Sequence, residues 1–303
     1  MGNRTGMLTG ATGYVGGLVL ERLLDEGWSM RVLVRDASKL EASVRQRVEV
    51  VEGDAESDED LARAMAGAKV AWFLMHSMGG DGDFAKTERS IAEAFAKAAA
   101  GSGVERIVYL GGLHPGEEDL SEHLASRVAV GEVLMGSGVP TAAIHAGVVM
   151  GAGSASFDML RTLTERFPAA GGPAWLRNQI QPIDAADVVH YLVAAADLPA
   201  EVNRTFDVGG PDRLSYAEMM QRYARVRGLG PRPVASPPVP TRCGIAACAS
   251  RAGSRRQRPS ARYGPCCTPT SPSSPPCTWP TVWRVSRTMT SNLTPQHWPP
   301  TWP

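Results

Sequence analysis

Thr9-Gly10-Ala11-Thr12-Gly13-Tyr14-Val15-Gly16 is the stretch that decides the fold of this 303-residue chain. A β-like run, Met7–Thr9, leads into it, and Val15, Leu18, Val19, Leu23 and Leu24 follow at helical spacing. Glycines between a strand and an amphipathic helix are the context that a dinucleotide-binding turn requires. Gly10 permits the tight turn. Gly13 lets the backbone approach a pyrophosphate, and Gly16 allows close helix–strand packing. The start of the helix then offers free N–H groups and a partial positive charge to phosphates. The spacing is G-x-x-G-x-x-G, not G-x-G-x-x-G. Gly10, Thr12, Gly13, Tyr14, Val15 and Gly16 are the expected cofactor loop; the alternative is a purely structural turn.

Outward from the loop, short β-like runs alternate with helical patterns. Strands are expected at Met30–Arg35, Val48–Glu52, Val70–Met75, Arg106–Leu110, Thr141–Val149 and Thr205–Val208. Helices are expected over Phe84–Ala100 and Leu120–Met135, and the capping-box pattern Ser215-Tyr-Ala-Glu218 starts a last one. This alternation predicts an α/β fold: a Rossmann-type doubly wound parallel sheet over residues 5–230. Short insertions after the sixth strand make a small C-terminal substrate-side region. Strand ends face the ligand in such a sheet, so Ser154, Ser156, Phe157 and Met159 are candidate pocket residues.

Residues 231–303 are unlike the rest. All 31 acidic residues precede them, whereas the segment holds nine of the 31 basic ones, 16 of the 23 Pro and all five Cys. The body is therefore acidic and the tail basic. With one Leu, one Ile, four Val and no Phe, the tail cannot bury enough surface to offset chain entropy. A disordered Pro/Arg/Ser/Thr-rich tail is expected, with two origins open. One is a reading frame lost near Ala235–Cys243; the other is a genuine basic tail that binds nucleic acid or membrane. The acidic body argues against nucleic-acid binding. Five cysteines without C-x-x-C spacing argue against zinc or a disulfide framework, so no metal site is expected. A Cys-free body suits a reducing, cytoplasmic setting. No apolar run reaches the roughly 18 residues of a membrane span.

The second strand ends in Val34-Arg35-Asp36. An acidic residue there would accept from a ribose 2′-OH, but Arg35 comes first, and a guanidinium suits a 2′-phosphate. NADP is expected over NAD, with an Arg35–Asp36 ion pair as the alternative use of the arginine. Asp54 and Ala55, after the third strand, are expected beside the adenine. Met75 and His76, at the end of the fourth, should line the nicotinamide pocket.

These residues resemble an atypical short-chain dehydrogenase/reductase of the NmrA-like, NAD(P)H-binding kind. The resemblance runs over about residues 5–230. It rests on the glycine loop, Val34-Arg35-Asp36, Val51-Glu-Gly-Asp54, His76-Ser77-Met78, Arg106-Ile-Val-Tyr-Leu-Gly-Gly112, Gln181-Pro-Ile183 and Phe206-Asp-Val-Gly-Gly-Pro211. It implies a catalytic Tyr with a Lys four residues on, yet no Tyr here has one. The matching helix reads Ser121-Glu-His123-Leu-Ala-Ser126-Arg127, and Gly111-Gly112 stands where the superfamily carries Ser. His123 and Arg127, at i and i+4, share a helix face. They are the catalytic candidates, His123 giving a proton and Arg127 acting by charge, with ordinary polar surface roles as the alternative. His145, inside an apolar strand, reads as a core histidine. The expected function is an NADPH-dependent reductase of a small carbonyl or quinone-like molecule. A non-catalytic NAD(P)-holding regulator is the alternative, and neither substrate nor oligomeric state is legible.

Overall fold

Thr5–Thr9 (β1) sends Met7 to one face of a sheet and Leu8 to the other, and both are fully buried. That two-sided burial is what helices on both faces of a parallel sheet produce. The structure is a computed structural model and describes residues 4–75, 84–114, 120–166 and 174–230, with backbone alone at Phe84, Glu122, His123 and Ala174. Residues 231–303, and with them the tail expectation, lie outside the described residues, as does His76.

From β1 the chain passes through α1 (Tyr14–Asp25), β2 (Ser29–Val34), α2 (Ala42–Arg45), β3 (Glu49–Glu52), α3 (Asp58–Met65) and β4 (Val70–Phe73). It continues through α4 (Phe84–Ser102), β5 (Arg106–Gly112), α5 (Glu122–Met135), β6 (Thr141–Ala146), β7 (Val149–Met150) and α6 (Ala155–Arg166). Then come β8 (Gln179–Ile180), β9 (Ile183–Asp184), α7 (Ala185–Ala194), β10 (Arg204–Val208), β11 (Leu214–Ser215) and α8 (Tyr216–Val226). Seven strands form one parallel sheet in the order β10-β6-β5-β4-β1-β2-β3. The expected doubly wound sheet is present.

One face packs Val19, Leu20 and Leu23 of α1 and Val188, Leu192 and Val193 of α7 over Leu8, Val32, Val108 and Ile144. The other packs Leu61 and Met65 of α3, Ile91 and Phe95 of α4 and Leu134 of α5 over Met7, Leu33, Phe73 and Ile107. The chain runs from β1 outward to β3, then returns to place β4 on the other side of β1. This reversal opens a crevice at the C-terminal ends of β1 and β4, where doubly wound sheets take ligands.

One expectation needed correction. The run Thr141–Val149 is two strands, because Gly147 lies where a Cβ would come within 1.8 Å of the Gln181 carbonyl oxygen. The chain turns there, and β7 pairs with β9 instead. The cap of α7 is Asp184, which accepts from the Ala186 N–H at 2.7 Å, with Asp187 in the first turn.

Residues Asp158–Ile180 and 212–230 make a second compact unit. In it β8 pairs antiparallel with β11. The expected capping box holds: the Glu218 N–H donates to Ser215 Oγ at 3.2 Å, and the Ser215 N–H donates to Glu218 Oε2 at 2.7 Å. The Tyr223 hydroxyl donates to Glu165 Oε1 at 2.6 Å, and Trp175 meets Tyr216 edge-on with centroids 5.3 Å apart.

Candidate functional site

The glycine loop occupies the crevice. Gly10 has φ +82°, a left-handed conformation that glycine adopts without the Cβ penalty, and a Cβ there would lie 2.5 Å from the Leu74 carbonyl oxygen. The first loop glycine therefore fits between the ends of β1 and β4. A Cβ on Gly16 would lie 2.0 Å from the Gly10 carbonyl oxygen, so this glycine packs the helix against the loop itself, not against the strand. Gly13 is different. A Cβ on it would meet only Gly10 oxygen, at 3.2 Å, and its outer side is open. The Gly13 N–H donates to that same carbonyl at 2.9 Å, closing the turn. Helix α1 then starts with no side-chain cap and no acidic residue in its first turn. Its N–H groups remain open to an anion.

Within this loop Thr12 is exposed and Val15 packs against the α1 core. Tyr14 turns away from the open side. A Cβ on Gly151 would come 2.3 Å from its hydroxyl, and burial, with the Asp184 charge adding, holds its phenol above the usual range. Tyr14 therefore pins the segment after β6 beside the loop. Ser154 in that segment is buried and accepts from the Phe157 N–H at 3.1 Å, which commits it to capping α6.

On the α4/α5 face of the sheet a small cavity begins at Met75, just past β4. Phe73, Met75, Ile91 and Val130 make its apolar walls, and Glu88, Tyr109 and Arg127 its polar ones. Glu88 is 8% exposed and accepts from Ser126 Oγ at 2.6 Å. The Tyr109 hydroxyl donates to the Arg127 carbonyl at 3.0 Å. Burial pushes the Tyr109 phenol far above its usual range; the Arg127 charge opposes this and the Glu88 charge adds to it. A phenol so held does not release its proton near neutrality. Arg127 Nε is buried and has no hydrogen-bond partner.

Residues 10–138 match the NAD(P)H-binding family. They belong to it. The chain is 29% identical over 230 residues to a Streptomyces griseus (4-alkanoyl-5-oxo-2,5-dihydrofuran-3-yl)methyl phosphate reductase, covering 73% of each chain. It is 29% identical over 235 residues to a Caulobacter vibrioides ceramide reductase, covering 76% of this chain and 73% of that one. Among solved structures, a triphenylmethane reductase from Citrobacter superposes with a TM-score of 0.67 at 21% identity, covering 82% of this chain and 83% of that one. A Bordetella bronchiseptica enzyme in complex with NAD gives 0.64 at 18% identity, covering 78% and 82%. At those identities the structures speak for the fold alone. The likeness is thus to NAD(P)H-binding proteins and to relatives named as reductases, and no helix among the described residues is long and apolar enough to cross a membrane.

The fold distributes the other expected residues unevenly. Arg35 is exposed at the end of β2. It forms no ion pair with Asp36, whose carboxylate accepts from the Ser38 N–H at 2.9 Å and the Ser38 hydroxyl at 2.6 Å. Those two bonds hold the Asp36 carboxyl below the usual range. Asp54 is exposed, one oxygen accepting from the Glu56 N–H at 3.1 Å, while Ala55 is buried in the α3/α4 core and presents no side chain to a ligand. His123 is placed on the first turn of α5 by its backbone, one helical turn before Arg127.

Sequence reasoning missed Glu88 and Tyr109. Glu88 lies in an ordinary helical pattern, and nothing in the chain order says that it faces Ser126. Gly111 now has a local reason: a Cβ there would come 2.7 Å from His145 Cδ2, so the imidazole fills that space.

Proposed function

We propose that the domain is an NADPH-dependent reductase of a small carbonyl or quinone-like substrate. The observation that carries the reading is the buried, unpartnered Arg127 Nε in a cavity that starts at Met75. A buried guanidinium N–H without a partner is costly in a resting protein. It is useful where negative charge develops on an oxygen during reaction.

When bound, NADPH supplies the hydride that reduces the substrate carbon. The chain's own residues do the rest. The Gly10–Gly16 loop and the open start of α1 hold the pyrophosphate, and Arg35 meets the 2′-phosphate, since Asp36 is occupied by Ser38. Asp54 contacts the adenine through its free oxygen. Met75 and His76 border the nicotinamide. Arg127 keeps its proton and stabilises the developing oxyanion by charge, while His123, on the same helix, gives that oxygen its proton. The two relatives named as reductases support the reaction class.

The test is a fluorescence titration of the full chain with NADPH and NADH, followed by NADPH oxidation with aldehyde and quinone acceptors. Tighter NADPH binding with acceptor-dependent oxidation is expected. A chain that binds NADPH but oxidises it with none of these acceptors is a cofactor-holding protein, and the reductase reading fails.

A further inference from the structure

Strand β2 ends at Val34, beside the end of β1, and the residues after it carry charge of both signs: Arg35, Asp36 and Lys39. Asp36 caps the single 3-10 turn Ala37–Lys39, and the next residue, Leu40, is buried in the α1/α7 core and fixes the far end of that turn. One oxygen of Asp36 accepts twice from one residue. Its Oδ1 takes the Ser38 N–H at 2.9 Å and the Ser38 hydroxyl at 2.6 Å. From β3, Glu52 stands in register with Val34, and its Oε1 accepts from the Ala37 N–H at 3.2 Å. Both carboxylates are thus held on the turn. Arg35 and Lys39 are exposed, and Arg35 pairs with neither carboxylate.

A ribose with a free 2′-OH is read by a carboxylate that accepts from it, and a 2′-phosphate is read by cations. This chain carries both kinds of group one residue apart. What Asp36 is bound to therefore decides which of them is presented. A carboxylate oxygen with two donors has both lone pairs filled. Turning Asp36 toward a ribose breaks the two bonds at Oδ1, whereas a 2′-phosphate facing Arg35 requires no such turn. The two bonds differ in origin. Any residue at position 38 other than proline supplies the N–H, but the hydroxyl belongs to serine. That hydroxyl does most to hold the Asp36 carboxyl below the usual range, followed by the Ser38 N–H and then the Lys39 charge.

We propose that Ser38 sets the cofactor preference of the chain by holding Asp36 on the turn. The inference rests on the reading of this crevice as an NADPH site. With the hydroxyl in place, Asp36 stays back and Arg35, with Lys39 beside it, meets the 2′-phosphate. Without it, Asp36 keeps only the N–H bond. The freed carboxylate then accepts from the 2′-OH of NADH, or pairs with Arg35 and takes that cation from the 2′-phosphate. Both movements shift the preference in one direction, toward NADH. Ser38 acts through Asp36 and is a positioning residue.

The experiment titrates the full chain with NADPH and with NADH by nicotinamide fluorescence, in the wild type, Ser38→Ala, Ser38→Thr, Asp36→Ala and the Asp36→Ala/Ser38→Ala double variant. Ser38 is exposed, so its substitution leaves the core intact. The ratio of NADH Kd to NADPH Kd falls about tenfold in Ser38→Ala, as for one charge-assisted hydrogen bond at an exposed site. Threonine restores it, and in the Asp36→Ala background the loss of the hydroxyl changes nothing. A second readout needs no cofactor: by 13C NMR the Asp36 carboxyl titrates higher in Ser38→Ala than in the wild type, and Ser38→Thr returns it. The inference is overturned by an unmoved ratio in Ser38→Ala, by an unmoved Asp36 titration, or by a shift that persists in the Asp36→Ala background, which makes Ser38 a direct phosphate ligand. A wild type that binds neither nucleotide, or NADH as tightly as NADPH, overturns the NADPH reading and the inference with it. Wild-type preference for NADPH alongside an unaffected Ser38→Ala sinks the role of Ser38 alone.

Discussion

Substituting Gly16 by alanine tests the loop most directly, because its neighbour supplies the control. The added Cβ at position 16 would stand 2.0 Å from the Gly10 carbonyl oxygen. Carbon and carbonyl oxygen touch at about 3.3 Å, so backbone must move by more than an ångström. The obstacle is the loop itself, and Gly10 is already wedged against the end of β4, so the strain has no flexible side chain to relax into. Overpacking of this kind costs about 1–3 kcal/mol. For a body of this size that lowers Tm by roughly 3–10 °C. The displaced carbonyl is the one that closes the turn through the Gly13 N–H. Losing even one charge-assisted phosphate contact, about 1.5–3 kcal/mol, weakens NADPH binding tenfold or more. At Gly17 the Cβ would meet Ala11 oxygen at 3.6 Å, an ordinary contact. Gly17→Ala should therefore bind normally and gain up to about 1 kcal/mol of helix propensity. Thermal melts and nicotinamide fluorescence titrations of both variants decide it. Equal behaviour of the two alanines would refute the assignment of the loop.

Arg35→Ser should weaken NADPH about tenfold, as expected for one solvent-exposed charge-assisted contact, and leave NADH unchanged; equal weakening of both would remove Arg35 from the 2′-phosphate. Ser215→Ala removes the Oγ that accepts from the Glu218 N–H, leaves the backbone N–H bond to Glu218 Oε2 in the α8 capping box, and should cost about 1 kcal/mol in urea melts, without change in cofactor affinity. The pH dependence of Asp207 has a defined sign. The hydrogen bond from His145 holds its carboxyl below the usual range, so its stabilisation is complete above about pH 4 and is lost as pH falls through the lowered value. The Tm gap between wild type and Asp207→Asn should therefore be present at pH 6 and shrink toward pH 3. A gap that widens in acid would contradict the His145 contact.

Much of this protein is local in origin. A strand, three glycines and an amphipathic helix specify the glycine turn within eight residues, because sterics at Gly10 and the free N–H groups of α1 need no distant partner. The alternating runs predict the parallel sheet for the same reason: strands covered on both faces are apolar throughout. Other matters lie between residues far apart in the chain. Whether Arg35 is spent on Asp36 depended on which group reached that carboxylate first, and the neighbouring Ser38 took it. The run Thr141–Val149 read as one strand because its composition is uniformly β-like, and only the crossing at Gln181 breaks it. Ala55 follows β3 closely in order but turns into the core. The Glu88–Ser126 contact joins two helices, and the His145–Asp207 contact joins two strands. The sequence by itself determined the glycine turn and the sheet, whose causes are local sterics and periodicity. Tertiary structure alone decided which polar groups stand unpaired in a cavity, since burial and pairing depend on what the rest of the chain brings within hydrogen-bond reach.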